Sequence, residues 1–293
     1  MEEQIISSTQ NPKIKRLLLL QQKSQERRKQ GVFVVEGRRE LEHCIEAGYE
    51  VESAFLSEEL RVKSEEFLCE QSEQVRAATA LLSLSPTAVA NSSLFTLHSS
   101  LFTVTPQVYE RIAYRGSTEG IMAIVRAKSH RLEDLQLRDN PLVMVLESVE
   151  KPGNLGAVLR SADAAQADAV IVCDPLTDLY NPNLIRSSIG AIFTVPTVAC
   201  TSEACIAFLQ QRGIQILTAQ LQDSSLYYDT PMTGPTAIVM GTESTGLTDQ
   251  WRRAATAHIR IPMLGRLDSL NVSVSAAILL FEAVRQRQAH IHA

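Results

Sequence analysis

From Pro141 onward, short apolar runs rich in β-branched residues alternate with segments of helical spacing, and this alternation leaves few folds open. Residues 142–146, 169–173, 193–198, 215–218, 236–240 and 257–261 are runs of this kind, short enough to be strands and apolar enough to be buried. Between them, residues 155–167, 183–189 and 202–212 carry helical spacing. The last segment, 272–288, places Val274, Ala277, Ile278 and Phe281 on one helical face. Strands that alternate with helices predict an α/β fold with a parallel sheet covered on both sides.

The first half is mixed. Helices are expected at 12–22, 38–47 and 106–112, and strands at 32–35, 51–56 and 121–125. Residues 72–100, rich in Ser, Thr and Ala, carry no clear period. A chain of 293 residues can build two cores. The polar stretch ending in Asn140-Pro141 therefore predicts a smaller N-terminal α/β domain over 1–128, a linker at 129–140 and a larger domain over 141–293.

Composition excludes several classes. With 45% hydrophobic and 21% charged residues, the chain is globular rather than disordered. Its purely aliphatic runs, such as Leu17 to Leu20, are too short to span a bilayer, and no membrane association is expected. The opening Met-Glu-Glu-Gln lacks the basic and apolar regions of a secretion signal, so the cytoplasm is the expected location. The five cysteines (Cys44, Cys69, Cys173, Cys200 and Cys205) show no C-x-x-C spacing. Cys200 and Cys205 have four residues between them and no nearby histidine, so free thiols and no metal site are expected.

The formal net charge of −5 argues against coating nucleic acid by bulk electrostatics. Its distribution is uneven. Residues 11–39 hold Lys13, Lys15, Arg16, Lys23, Arg27, Arg28, Lys29, Arg38 and Arg39 against only Glu26 and Glu36. Such a stretch can track phosphates, with Lys13, Lys15, Arg16, Arg27, Arg28 and Arg38 as candidate RNA contacts, or it can be a solvated helix face.

Three polar loops follow expected strands of the second half, where α/β sheets bind ligands. The first contains Gly153, Asn154, Gly156 and Arg160. Asn154 suits a helix N-cap, the glycines allow close approach of a backbone or phosphate, and Arg160 offers a planar fork. The second is Gly241-Thr-Glu-Ser-Thr-Gly246. It resembles the start of a P-loop, but Leu247 stands where the phosphate-binding lysine is required, which removes an ATPase reading. The third runs from Ile261 to Ser273 and gathers Ser269, Asn271 and Ser273 at a helix start, with Asp268 or Ser269 able to cap it. Taken singly, each loop reads more readily as a capped helix or a surface turn than as a site.

Together they do not. The set Asn154-x-Gly156-x-x-x-Arg160, Gly241-x-Glu243-x-x-Gly246 and Ile261-Pro-Met263 with Ser269-Leu-Asn-Val-Ser273 resembles the three motifs of the SpoU/TrmH class of SPOUT RNA methyltransferases, in order. Upstream, Asn11-Pro-Lys-Ile-Lys with Phe33-Val-Val-Glu-Gly37 resembles the substrate-recognition domain of the family's ribosomal-RNA members, itself similar to small ribosomal proteins. Tyr114-Arg-Gly-Ser-Thr-Glu-Gly120 resembles the stretch that leads out of that domain.

The resemblance implies a C-terminal domain threaded into a deep trefoil knot, a homodimer, and S-adenosylmethionine as methyl donor to a ribose 2′-hydroxyl. Ribosomal RNA is the expected substrate, with transfer RNA as the alternative; a non-catalytic RNA-binding protein that kept the fold is the reading from another class. Cofactor contacts are implied at Thr218, Ala219, Gly241, Gly246, Ile261, Met263 and Leu270. Catalytic roles are implied for Arg160 with Asn154, Glu243, Ser269 and Asn271. Arginine, whose guanidinium keeps its proton far above neutral pH, is a poor base there. Its expected work is to bind the neighbouring phosphate and stabilise the developing alkoxide.

Overall fold

The computed structural model describes residues 5–59, 100–114, 120–242 and 245–291. The chain forms two compact units, Met1–Lys128 with Tyr180–Pro182, and Ser129–Leu179 with Asn183–Ala293.

The first unit opens with α1 (Pro12–Gln22), whose proline suits a first helical turn and whose N-cap Asn11 accepts the Lys13 N–H at 2.9 Å. Ile14, Leu17 and Leu20 recur every third residue and are wholly buried. A short helix not foreseen in the sequence, α2 (Ser24–Gln30), follows, and Gly31 ends it at φ 65°. Then come β1 (Val32–Glu36), α3 (Arg38–Glu46), β2 (Val51–Ser57), β3 (Ser100–Val104), α4 (Pro106–Ile112) and β4 (Ile121–Arg126). The sheet is mixed, in the order β1-β4-β2-β3: β4 is antiparallel to β1 and β2, and β3 is parallel to β2. Val32, Val34, Phe55, Met122 and Ile124 pack under α1 and α4. The stretch without clear period lies outside the described residues except for its last member, Ser100, which begins β3.

The second unit runs β5 (Leu142–Glu147), α5 (Pro152–Ala164), β6 (Ala169–Cys173), α6 (Pro182–Ser187), α7 (Ala191–Thr194), β7 (Thr197–Cys200), α8 (Ser202–Gln211) and β8 (Gln215–Ala219). It continues with β9 (Ser225–Leu226), β10 (Thr236–Met240), α9 (Asp249–Ala254), β11 (Ala257–Arg260) and α10 (Val272–Ile291). All strand pairs are parallel, in the order β7-β6-β5-β10-β8-β11-β9. Both faces are covered. Val143, Val145, Ile171 and Val239 pack with Phe208 and Leu209 of α8 and Trp251 of α9. On the other side α5 and α10 pack against each other and against the sheet.

Several expectations shift. The run 193–198 is not one strand: α7 makes a helical turn, Val195 turns extended at φ −93° and ψ 124°, and β7 begins at Thr197. Pro196 explains the break, because a residue before proline is driven out of the helical region. Helix α5 starts three residues before the expected 155, with Pro152 in its first turn and Lys151 as N-cap, so Asn154 lies inside the helix rather than capping it. On α10 the buried stripe is Val272, Ala276, Leu279, Leu280 and Ala283, which leaves Val274 and Phe281 about half exposed. The segment 129–140 is no free linker. Leu132, Leu135 and Leu137 pack on the second unit's core, and Arg138 clasps the buried Asp168 carboxylate with Nε and Nη2 at 2.8 and 2.9 Å.

Candidate active site

Parallel strands send all their C-terminal ends to one side of the sheet, and loops there are the usual place for ligands. In the second unit the loops after β8, β10 and β11 enclose a cleft of about 320 Å³. Ala219 and Gln220 line it from the first loop, Gly241 and Gly246 from the second, and Ile261, Met263, Ser269 and Leu270 from the third. A smaller cleft of about 130 Å³ adjoins it, lined by Ser148, Lys151 and Asn154, with Gly241, Thr242 and Val272 common to both linings.

The residues explain the shape. A Cβ on Gly241 would overlap the backbone of Gly246 and Leu247, so only glycine lets the loop fold back on itself here. The loop is held by Gly246 N–H to Thr242 O at 3.1 Å and by Thr245 N–H to Thr242 Oγ1 at 3.0 Å. Its far end is fixed to β5. The carboxylate of Glu147, 2% exposed, accepts from Thr248 N–H at 2.8 Å and from Thr248 Oγ1 at 2.6 Å. Ser202 accepts from Trp251 Nε1 at 3.0 Å and donates to Asp174 at 2.6 Å. Sequence reading gave Glu147 no role. Its signal is a carboxylate that ends an otherwise apolar strand.

Gln220 was also missed. Its Oε1 is buried with no hydrogen-bond partner among the described residues, and the side chain lines the larger cleft. An orphaned buried acceptor costs about 1–3 kcal/mol, so its place beside a cleft points to a ligand donor. Position gave the clue, since Gln220 is the first residue after β8. The aliphatic lining, the glycine cradle and this orphaned acceptor fit an adenosine-bearing cofactor such as S-adenosylmethionine.

The motif residues divide. Ala219, Gly241, Gly246, Ile261, Met263 and Leu270 all line the larger cleft. Thr218 does not: it is wholly buried, and its Oγ1 lies 2.6 Å from His258 Nδ1, tying β8 to β11. Asn271 Nδ2 donates to Asn154 Oδ1 at 3.2 Å, while Asn271 Oδ1 accepts from Ser273 N–H at 2.9 Å and fixes the amide's orientation. Asn271, rather than Asp268 or Ser269, thus serves the first turn of α10. Arg160 is exposed on α5 and belongs to neither lining. Glu243 lies outside the described residues. Gly156 is a packing residue, because a Cβ there would overlap Ser187.

The basic candidates of the first unit divide as well. Lys15 and Arg28 are exposed. Lys13 sits 3.7 Å over the Phe102 ring, Arg16 pairs with Glu52, and Arg38 pairs with Glu42 at 2.8 Å. Arg27 corrects the reading: it is 4% exposed, and its Nη1 donates to the carbonyls of Leu20 and Gln21 at 2.6 and 3.1 Å. It closes the end of α1 and is not a surface cation.

Known proteins agree with this picture. Residues 141–281 match the SpoU rRNA methylase family, and residues 11–123 match an MRM3-like substrate-binding domain. The 23S rRNA (guanosine-2′-O-)-methyltransferase RlmB of Photobacterium profundum is 40% identical over 178 residues, 59% of this chain and 73% of that protein. Its counterpart in Vibrio parahaemolyticus is 37% identical over 196 residues, 65% and 79% respectively. A crystal structure of an RNA 2′-O ribose methyltransferase superposes with a TM-score of 0.76 at 35% identity, covering 97% of this chain and all of the other. An AdoMet-bound rRNA methyltransferase from Sinorhizobium meliloti gives 0.80 at 26% identity, covering 97% and 98%. Covering more than two thirds of relatives about 40% identical to it, the chain belongs to the SpoU family of RNA methyltransferases.

Proposed function

We propose that this chain transfers a methyl group from S-adenosylmethionine to a ribose 2′-hydroxyl of ribosomal RNA, working in the cytoplasm. The observation that carries the reading is the larger cleft, built from three loops distant in sequence, beside a smaller cleft whose Asn154 is bonded to Asn271. The names of the relatives direct the substrate to 23S rRNA, with a guanosine as the first nucleotide to examine.

Bound in the larger cleft, the cofactor would supply an electrophilic methyl sulfonium. Ala219, Gly241, Ile261, Met263 and Leu270 would hold it, and their apolar surfaces exclude water. The chain's task is then alignment, for which good orientation is worth up to about 7–11 kcal/mol. Asn154 and Asn271 sit where the smaller cleft could receive the ribose. Arg160 offers a planar cation to the neighbouring phosphate and to the alkoxide that forms; the hydroxyl proton passes to a phosphate oxygen or to solvent.

We infer further that the enzyme is a homodimer with shared sites. Arg160 lies outside both clefts, as suits a group that serves the partner's cleft. Val274 and Phe281 on α10 supply apolar surface for a two-fold interface, with Leu264 at 95% and Leu267 at 76% exposure. The knot is part of the same inference, since β10 inserts between β5 and β8 before the chain returns to pack α10 on α5.

Calorimetric titration with S-adenosylmethionine should give saturable binding without metal; saturable ATP binding with no response to the cofactor would refute the reading. A map of 2′-O-methyl sites in total RNA from cells with and without the protein should lose one position in 23S rRNA. Loss of a transfer-RNA site instead would move the substrate.

A further inference from the structure

Three of the five cysteines converge at the sheet edge of the second unit, and none of them lines either cleft. Cys173 ends β6, Cys200 ends β7, and the two face each other in parallel register. Thr201 caps α8 by accepting the Ala204 N–H at 3.2 Å, and the first turn of that helix brings Cys205 to the pair. The three Sγ atoms lie within 4.8 Å of one another. An ion about 2.3 Å from each of three sulfurs sets them roughly 4 Å apart, so an ion could be received with shifts below about 1 Å.

We propose that Cys173, Cys200 and Cys205 form a three-sulfur site for a soft monovalent metal ion of the cuprous class. Softness favours it, because sulfur ligands select such ions over harder ones. Coordination number favours it too: among the described residues no histidine or carboxylate joins the three sulfurs, whereas a structural zinc site takes four ligands. The nearest acid in sequence, Asp174, is held by Ser202 through Oγ at 2.6 Å and N–H at 3.1 Å.

Surroundings and access agree. Cys173 and Cys205 belong to an apolar core cluster that also holds Ile171, Phe208 and Leu209. Cys173 and Cys205 are buried, while Cys200 is partly exposed and gives an ion a way in. The spacing of Cys200 and Cys205 alone gave no sign of such a site, because its third member arrives by strand pairing.

The test uses the full chain, reduced with a phosphine and kept free of oxygen. Titration with copper(I) against a chromogenic cuprous chelator should show one ion bound per chain, and silver should behave alike. Loss of an outer-shell partner costs a metal site about 10–100-fold, so Cys200→Ser, which removes a ligand, should weaken binding about 100-fold or more. The Cys44→Ala, Cys69→Ala double variant should bind as the parent does. Copper-edge X-ray absorption should count three sulfur neighbours. Binding equal in parent and Cys200→Ser, or zinc taken up in preference to copper(I), would each overturn the proposal.

Discussion

The polar loops of the second unit and the basic helices of the first both attract a functional reading, yet the fold treats them differently. In the second unit, residues from three distant loops meet around one cleft, and six of seven expected cofactor contacts line it. In the first unit, the basic stretch divides: Lys15 and Arg28 face solvent, Arg16 and Arg38 pair with glutamates, and Arg27 is buried as a helix closure. Motif spacing carries geometric information, because it fixes which loop end a residue occupies. A count of charges does not, since it cannot tell a cation that meets phosphate from one that meets a carbonyl.

The sharpest way to press this contrast is Arg160→Ala. Methyl transfer should fall about 10²–10³-fold, the usual cost of losing an electrostatic stabiliser, with cofactor affinity unchanged within a few-fold. Arg160→Lys should be badly impaired as well, since a point charge does not replace a planar fork. Single-turnover rates on RNA decide it; near-normal turnover by either variant would show that spacing misled here too.

Next in size is Arg27→Ala, which tests the other side. It removes a charged donor to two carbonyls and should cost about 1.5–3 kcal/mol of stability, read by urea denaturation. A loss of RNA affinity with stability intact would return Arg27 to the binding face.

The second unit has its own charged residue in structural use. Burial works against the Asp168 carboxylate, but Arg138 and the N–H groups of Leu142 and Arg138 outweigh it and hold its pKa below the ordinary range. A depressed pKa stabilises the fold above the unfolded value of about 3.9, and that contribution is lost as pH falls through this value toward the folded one. Asp168→Asn should therefore lower the melting temperature at pH 7, with the gap to the parent narrowing below about pH 4. A gap constant with pH would remove the charge from the argument.

A smaller effect is expected from Lys15→Glu with Arg28→Glu. RNA affinity should fall, and the slope of log affinity against log salt should flatten by roughly 1.5–2, the share of two phosphate contacts. An unchanged slope would leave the first unit's surface charge without a role in binding.

The smallest expected change is a factor of two, and it bears on the shared-site reading. Subunits carrying Arg160→Ala and Gly241→Trp should each be inactive alone. A mixed dimer should recover about half the parent activity, because one of its two sites combines an intact arginine with an intact cleft. An inactive, folded heterodimer would place arginine and cleft in the same subunit.

Much of the second unit was legible because buried parallel strands read as unbroken apolar runs and the loops between them carried spaced glycines. What failed had local causes. Pro196 divides one apolar run into a helical turn and a strand, and Pro152 starts α5 early enough to place Asn154 inside it. Thr218 lay at the right strand end but points to His258. The roles of Glu147 and Gln220 depend on what the fold brings against them, which no spacing encodes. In the first unit α2 was hidden because its residues, Ser24 to Gln30, are polar throughout and show no apolar stripe.

The clasp between Glu147 and Thr248 has a consequence for binding entropy. Fixing one residue's backbone costs roughly 1–2 kcal/mol, so a loop that ordered only around its ligand would lose that much affinity per residue. Here Thr248 is held through both its N–H and its hydroxyl, and Gly246 and Thr245 are held to Thr242. A ligand therefore meets a lip already in place. Glu147→Gln turns one carboxylate oxygen into an amide donor facing groups that themselves donate. Its effect should appear as weaker cofactor binding with a larger unfavourable entropy, even though Glu147 lines neither cleft.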